Sequence, residues 1–306
     1  MFAVSSRTMF YSMGVPLMKL VSFSLKQGSK YYGNVDNGPT FFIGSRVSYR
    51  DGKGLMNLSG DDPKQRYDRN VFRGKYGFWA DFIHPTAMSE GALFHTLNTY
   101  DRARFTFSFL QFAAHVPDGD FVIYLRRLLA LPLAAEYFPD LKLVNGRVHR
   151  VRDGVEAALE SATTTEPLLD YFNPTLKEIE DTEVIQAARL IHWVQNDVAH
   201  RELQIEVGIK IFKNAMFHYA KRYALDGTKD VVCLIIADIR HQGRARDPEI
   251  IHALSESDPI SALLKIGDSQ YPDRIKVLVK EIHDLREDGT LGKRIYNLAT
   301  RDFVLI

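Results

Sequence analysis

Residues 89–115, SEGALFHTLNTYDRARFTFSFLQFAAH, force the backbone to change habit within a few positions. Just before Glu90, Pro85 opens a short segment, PTAMSE, long enough for a turn or two of helix. Gly91 stands where such a helix stops, since glycine enters the left-handed region without a Cβ penalty. Residues 92–100 and 105–112 are then rich in β-branched and aromatic side chains, with Asp101-Arg102-Ala103-Arg104 between them. The pattern predicts a β-hairpin standing directly on a helix end.

That placement gives two carboxyl groups different surroundings. Glu90, the first glutamate of the chain, lies at the negative end of a helix dipole and beside apolar Leu and Phe positions, a setting that favours a protonated acid. Asp101, on a hairpin turn, is wetter and expected to stay charged. A protonated and an ionised carboxyl flanking one cleft are what hydrolysis of a glycosidic bond requires. The same residues also suit an ordinary helix stop and an ordinary turn.

Helix-Glu, Gly, hairpin Asp and then Thr five positions on resembles the catalytic block of the lysozyme-like superfamily, above all the bacterial chitosanases and related phage and secretion-effector muramidases. The resemblance implies Glu90 as general acid, Asp101 as general base and Thr106 as a holder of the attacking water. The block FTFSFLQF is similar to the family's second strand and the entry to its next helix, with Ser108 where many relatives carry Gly. Asn98, Tyr100, Arg102, Arg104, Gln111 and His115 become candidate substrate-binding residues. The apolar run 231–237, followed by DIRHQG, resembles the family's helix beneath the active site; Asp238, Arg240 and His241 are then expected to orient Asp101 or line a sugar subsite.

The rest of the chain fits an α+β, mostly helical architecture. Residues 1–72 read as an N-terminal β-rich arm or small subdomain, with strands at KLVSFSL and TFFIGSRVSYR, a turn at YYGNVDNGPT and a polar loop over 51–70. Its Tyr31, Tyr32, Phe41 and Phe42 fit a packed core better than a sugar platform. Residues 73–306 form the expected catalytic domain: Trp79 buried near the hairpin, an apolar helix after PDGD, and a second hairpin at LKLVNGRVHRV. Three-to-four periodicity then predicts helices over 154–162, 166–172, 182–200, 202–225, 229–242, 247–255, 259–266, 272–287 and 290–298. A small hairpin or sheet at a cleft in such a body is the lysozyme-like arrangement.

Other chemistries find little support. The 39 basic and 38 acidic residues leave a net charge of +1, so nothing pulls the chain globally toward nucleic acid or membrane. Arg240, Arg244 and Arg246 form only a small basic patch without aromatic residues between them. No window is apolar enough to span a membrane. Cys233, the sole cysteine, lies in the apolar run VVCLIIA and reads as a small buried hydrophobe. His192, Asp197, His200 and Glu202 lack metal-ligand spacing and read as a solvated helix face; no metal or cofactor is expected. The first eighteen residues lack a basic start, a sustained apolar core and a cleavage site, so synthesis without a secretory signal is expected, with export or injection by another route.

The expectation is a glycosidase acting on β-1,4 bonds of an amino-sugar polymer. The hairpin's two arginines against one aspartate tilt it to peptidoglycan over chitosan, a polycation. A muramidase used against rival cells would meet an immunity or inhibitor protein in its cleft. The reading from another class is a noncatalytic peptidoglycan-binding or assembly protein.

Overall fold

The computed structural model describes residues 18–306, so the reading of the leader lies outside the described residues apart from Met18. Four strands come first: β1 (Val21–Lys26), β2 (Lys30–Val35), β3 (Phe41–Tyr49) and β4 (Gly52–Asn57). This corrects the expected turn at YYGNV and part of the expected polar loop, both of which are strand. Glycines misled the pattern. A Cβ on Gly33 would come within 2.9 Å of Ile43 Cδ1, and one on Gly54 within 2.6 Å of Thr99 Oγ1. Both mark close approaches inside a sheet rather than breaks in it.

Three short helices follow, α1 (Arg69–Tyr76), α2 (Phe78–Phe82) and α3 (His84–Ser89), with Trp79 buried as expected. The chain then makes three strands of two residues each: β5 (Leu97–Asn98), β6 (Thr106–Phe107) and β7 (Phe112–Ala113). The two longer strands predicted for residues 92–112 do not form. Phe105, Phe107, Phe109, Leu110 and Phe112 are all buried, and the chain coils around them through positive φ at Arg104, Ser108 and Gln111. Ser108, with φ 100°, adopts a conformation that glycine enters more easily.

β1 to β7 form one antiparallel sheet in sequence order. Its seam is the pairing of Met56 with Asn98 and Asn57 with Leu97. Strands from both sides of residue 72 therefore belong to a single sheet. Tyr31 is buried and Phe41 packs on the core, while Tyr32 and Phe42 pair at 5.4 Å and stay half-buried.

Beyond the sheet come α4 (Asp120–Leu128), α5 (Ala134–Tyr137), β8 (Leu141–Val144), β9 (Arg147–Arg152) and β10 (Val155–Ala158). Asn145 and Gly146, at φ 50° and 76°, make the predicted tight turn. Asp153 and Gly154 repeat it at φ 52° and 78°, so the helix predicted over 154–162 is instead the third strand of a small sheet. The body is α6 (Glu166–Phe172), α7 (Asp181–Asn196), α8 (Val198–Arg222), α9 (Asp230–Gln242), α10 (Asp247–Ser255), α11 (Pro259–Lys265) and α12 (Pro272–Glu287), close to the predicted spans. The last predicted helix, 290–298, is instead the hairpin β11 (Arg294–Asn297) and β12 (Asp302–Leu305). Its entry is fixed by the buried Asp230 carboxylate, which accepts the Gly292 N–H at 2.8 Å and the Arg294 N–H at 3.2 Å. With 44% helix and 20% strand among the described residues, the fold mixes α and β and has more helix than strand.

Its centre is lined by Trp193 of α7, Phe107 of β6 and Tyr124 of α4, all fully buried. His200 lies among them, hydrogen-bonded to the Tyr124 hydroxyl, with burial holding its imidazole well below the usual range. A solvated face is thus not what this part of α8 presents. His192 bonds the Tyr137 hydroxyl at 2.8 Å, Asp197 caps α8 through the Ala199 N–H, and Glu202 pairs with Lys75. No helix among the described residues is long and apolar enough to cross a membrane.

The seam between β4 and β5 predicts the effect of one methyl group. Gly54→Ala sets a Cβ against the Thr99 backbone, and neither strand can yield without breaking the pairing. A loss of about 2–3 kcal/mol is expected in urea unfolding; a change within about 0.5 kcal/mol would show that the seam is loose.

Candidate active site

Glu90 caps the C-terminus of α3: its N–H reaches the carbonyls of Thr86 and Ala87 at 3.1 and 3.2 Å, and Gly91 turns the chain at φ 90°. The helix end is where the sequence places it. The apolar setting expected for its carboxyl group is not. Arg274, in the first turn of α12, donates to Oε1, and the Gln111 amide donates to Oε2. Both Glu90 and Arg274 are nearly enclosed, at 12% and 10% side-chain exposure.

Arg274 also donates to Asp238 Oδ1 at 2.7 Å, and Arg244 donates to Asp238 Oδ2 at 2.6 Å. Asp238 and Arg244 have fully buried side chains. The result is an unbroken chain, Glu90–Arg274–Asp238–Arg244, whose charges alternate. A buried carboxylate alone is costly, and two guanidiniums offset that cost at Asp238. Asp238 therefore orients Glu90 through Arg274 and does not reach the cleft, correcting the expectation that it orients Asp101 or lines a sugar subsite.

Asp101 is held by its own turn. Oδ1 accepts the Ala103 N–H at 2.8 Å and Oδ2 accepts the Asn98 amide at 3.0 Å. Asn98 in turn accepts the Tyr100 N–H at 3.1 Å. Thr106 pairs with Asn98 across β5 and β6, and among the described residues its hydroxyl has no protein partner within hydrogen-bonding reach.

Glu90, Asn98, Asp101, Arg102, Thr106, Gln111, His115 and His241 line one cleft of about 760 Å³. Tyr100, Arg104 and Arg240 do not. Tyr100 packs edge-on against Tyr49 at 6.2 Å. Arg104 turns to Asp170 at 2.6 Å, Glu166 at 3.2 Å and the Asn173 carbonyl. Arg240 turns to Asp247 at 3.3 Å, so no arginine from that position faces Asp101.

The cleft also holds residues that the sequence reading did not assign to it, notably Asp120, Ile211, Tyr271 and Arg274. Asp120 is the first residue of α4. Its Oδ1 accepts the Ala113 and Phe121 N–H groups at 2.9 and 2.7 Å. Burial pushes this carboxyl above the usual range, against the pull of those two amides and of the nearby His241 and His115 imidazoles. PDGD signalled a turn and a helix start, which is the only trace of Asp120 in the pattern. Nothing local marks Arg274, 184 positions from its partner Glu90.

A second cavity, of about 610 Å³, opens between α10 and α11. Four carboxylates line it: Asp258 and Glu249 cap those helices, Glu256 pairs with His252, and Asp268 completes the set. Among the described residues no group of His, Cys, Asp or Glu is placed to hold a metal ion. No protein-family model matches the chain, and no curated protein or solved structure matches it either.

Removing one member of the charge chain should be expensive. Arg274→Met leaves Glu90 and Asp238 without a shared cation, and a loss of about 3 kcal/mol or more is expected in urea unfolding. Wild-type stability in this variant would show that the chain of ion pairs contributes little to the fold.

Proposed function

We propose that this protein is a glycoside hydrolase of the lysozyme-like type, cutting β-1,4 bonds in an amino-sugar polymer. The observation that carries the reading is that Glu90, Asp101 and Thr106 line the same cleft. In this reading Glu90 protonates the leaving glycosidic oxygen, and Asp101 takes a proton from a water that the Thr106 hydroxyl steadies. A water between base and sugar implies inversion at the anomeric carbon.

Gln111 suits the acid's change of state. Its amide nitrogen donates to the ionised carboxylate, and its amide oxygen can accept from the protonated acid after a half-turn. Arg274, anchored from behind by Asp238, keeps the other oxygen of Glu90 fixed through both states.

Peptidoglycan is the first substrate reading, with Arg102 facing the carboxylates of its peptides and lactyl groups. Chitosan is the second, and two observations favour it: Arg104 turns out of the cleft, and Asp120 turns into it.

The test is digestion of purified peptidoglycan and of chitosan by wild type and by Glu90→Gln, with released fragments identified by mass spectrometry. Wild type should release oligosaccharides from one of them, and the variant should be about a thousandfold slower. Release from neither polymer, or equal release by both proteins, contradicts the proposal and favours a binding or assembly role.

A further inference from the structure

Behind the turn that carries Asp101 lies a carboxyl group for which the proposed reaction has no use. Glu183, on α7, is 0% exposed, and among the described residues no cation pairs with it. Its Oε1 accepts the Thr99 hydroxyl and, at 3.2 Å, the Leu55 N–H. Its Oε2 is buried without a partner. Thr99 joins β5 to the Asp101 turn. The Thr99 carbonyl accepts the Asn173 amide at 2.9 Å, and the same amide donates to the Arg104 carbonyl at 2.9 Å. The two ends of the turn are thus tied from behind, one through Glu183 and Asn173, the other through Asn173.

We propose that Glu183 is a positioning residue for the Asp101 turn, acting through the Thr99 hydroxyl, and that gain or loss of its proton rewires that contact. When Glu183 is ionised, the Thr99 hydroxyl and the Leu55 N–H both donate to its Oε1. When it is protonated, its own hydroxyl donates to Thr99 Oγ1, and the Thr99 hydroxyl turns to the Leu55 carbonyl, 3.3 Å away. The Leu55 N–H keeps Thr99 Oγ1 as an acceptor at 2.6 Å in either state. The heavy atoms stay where they are; the difference is a buried, unpaired charge.

The surroundings set the working range. Burial pushes Glu183 up to about 7, against the pull of the Thr99 and Leu55 hydrogen bonds, and Glu180 just before α7 adds to the rise. Arg46 on β3 and Lys53 on β4 are exposed to solvent, and Arg104 is committed to Glu166 and Asp170, so none of them neutralises Glu183. A folded-state value above the ordinary carboxyl range means that this contribution to stability is full in acid. It is lost as pH rises toward 7 and is flat beyond. The turn should therefore be held more firmly at pH 6 than at pH 8.

The link to catalysis rests on the proposal that Asp101 acts in the cleft, so the test reads the turn itself as well as cleavage. Hydrogen exchange of the backbone amides of residues 99–105 is followed in full-length protein at pH 6 and pH 8, corrected for intrinsic exchange. Wild-type protection should fall about tenfold between the two. Glu183→Gln keeps an acceptor for Thr99 and Leu55 and carries no charge, so its protection should be the same at both pH values. Thr99→Val, which removes the hydroxyl at nearly constant shape, should lower protection at both.

An equal fall in wild type and Glu183→Gln, or unchanged protection in Thr99→Val, overturns the inference. In cleavage assays kcat should fall between pH 6 and pH 8 in wild type and not in Glu183→Gln, with KM altered less than about twofold. The expected protection pattern without any cleavage would uphold the positioning role and sink the enzymatic reading alone. Cleavage with no protection difference would do the reverse.

Discussion

The buried carboxylate of Asp238 is the constraint on which the cleft depends. It lies inside the molecule and is tolerable there because Arg244 and Arg274 each bring a guanidinium to one of its oxygens. Arg274 has a second nitrogen to place, and Glu90 accepts it. Three helices distant in sequence, α3, α9 and α12, are drawn to one point by this requirement. Glu90 is presented to the cleft by a partner that cannot move without uncovering a buried charge.

The opposite side of the site rests on the sheet. β5 is two residues long and is held by β4 on one flank and β6 on the other. Gly54 lets β4 approach Thr99 closely enough for Glu183 and Leu55 to reach the same hydroxyl. The N-terminal strands are thus part of the scaffold of the Asp101 turn. The short hairpin gains from neighbours the rigidity that its own few ladder bonds cannot supply.

What could be read from the sequence was what local chemistry decides. Pro85, Glu90 and Gly91 marked a helix end, and Asn145-Gly146 marked a hairpin, because each signal lies within a few residues of its effect. Most helices of the body kept their predicted spans, since apolar periodicity and capping act over one or two turns. The failures share a cause. Residues 154–162 and 290–298 carry helical spacing, but a pair of positive-φ residues in one and the Asp230 carboxylate in the other commit them to strands. The surroundings of Glu90 were illegible because Arg274 and Asp238 arrive through tertiary packing. Arg104 looked like a cleft residue from its place in the turn, yet Asp170, Glu166 and the Asn173 carbonyl on its far side attract it away.

In the proposed reaction a glutamate fixed by an arginine and an aspartate on a braced turn act together across a glycosidic bond. The most direct measurement is proton NMR of the anomeric region in the first minutes after the protein is mixed with a β-1,4-linked amino-sugar oligosaccharide. The newly formed reducing ends should appear first as the α anomer and then equilibrate. First appearance of the β anomer, or no new reducing ends at all, would contradict it.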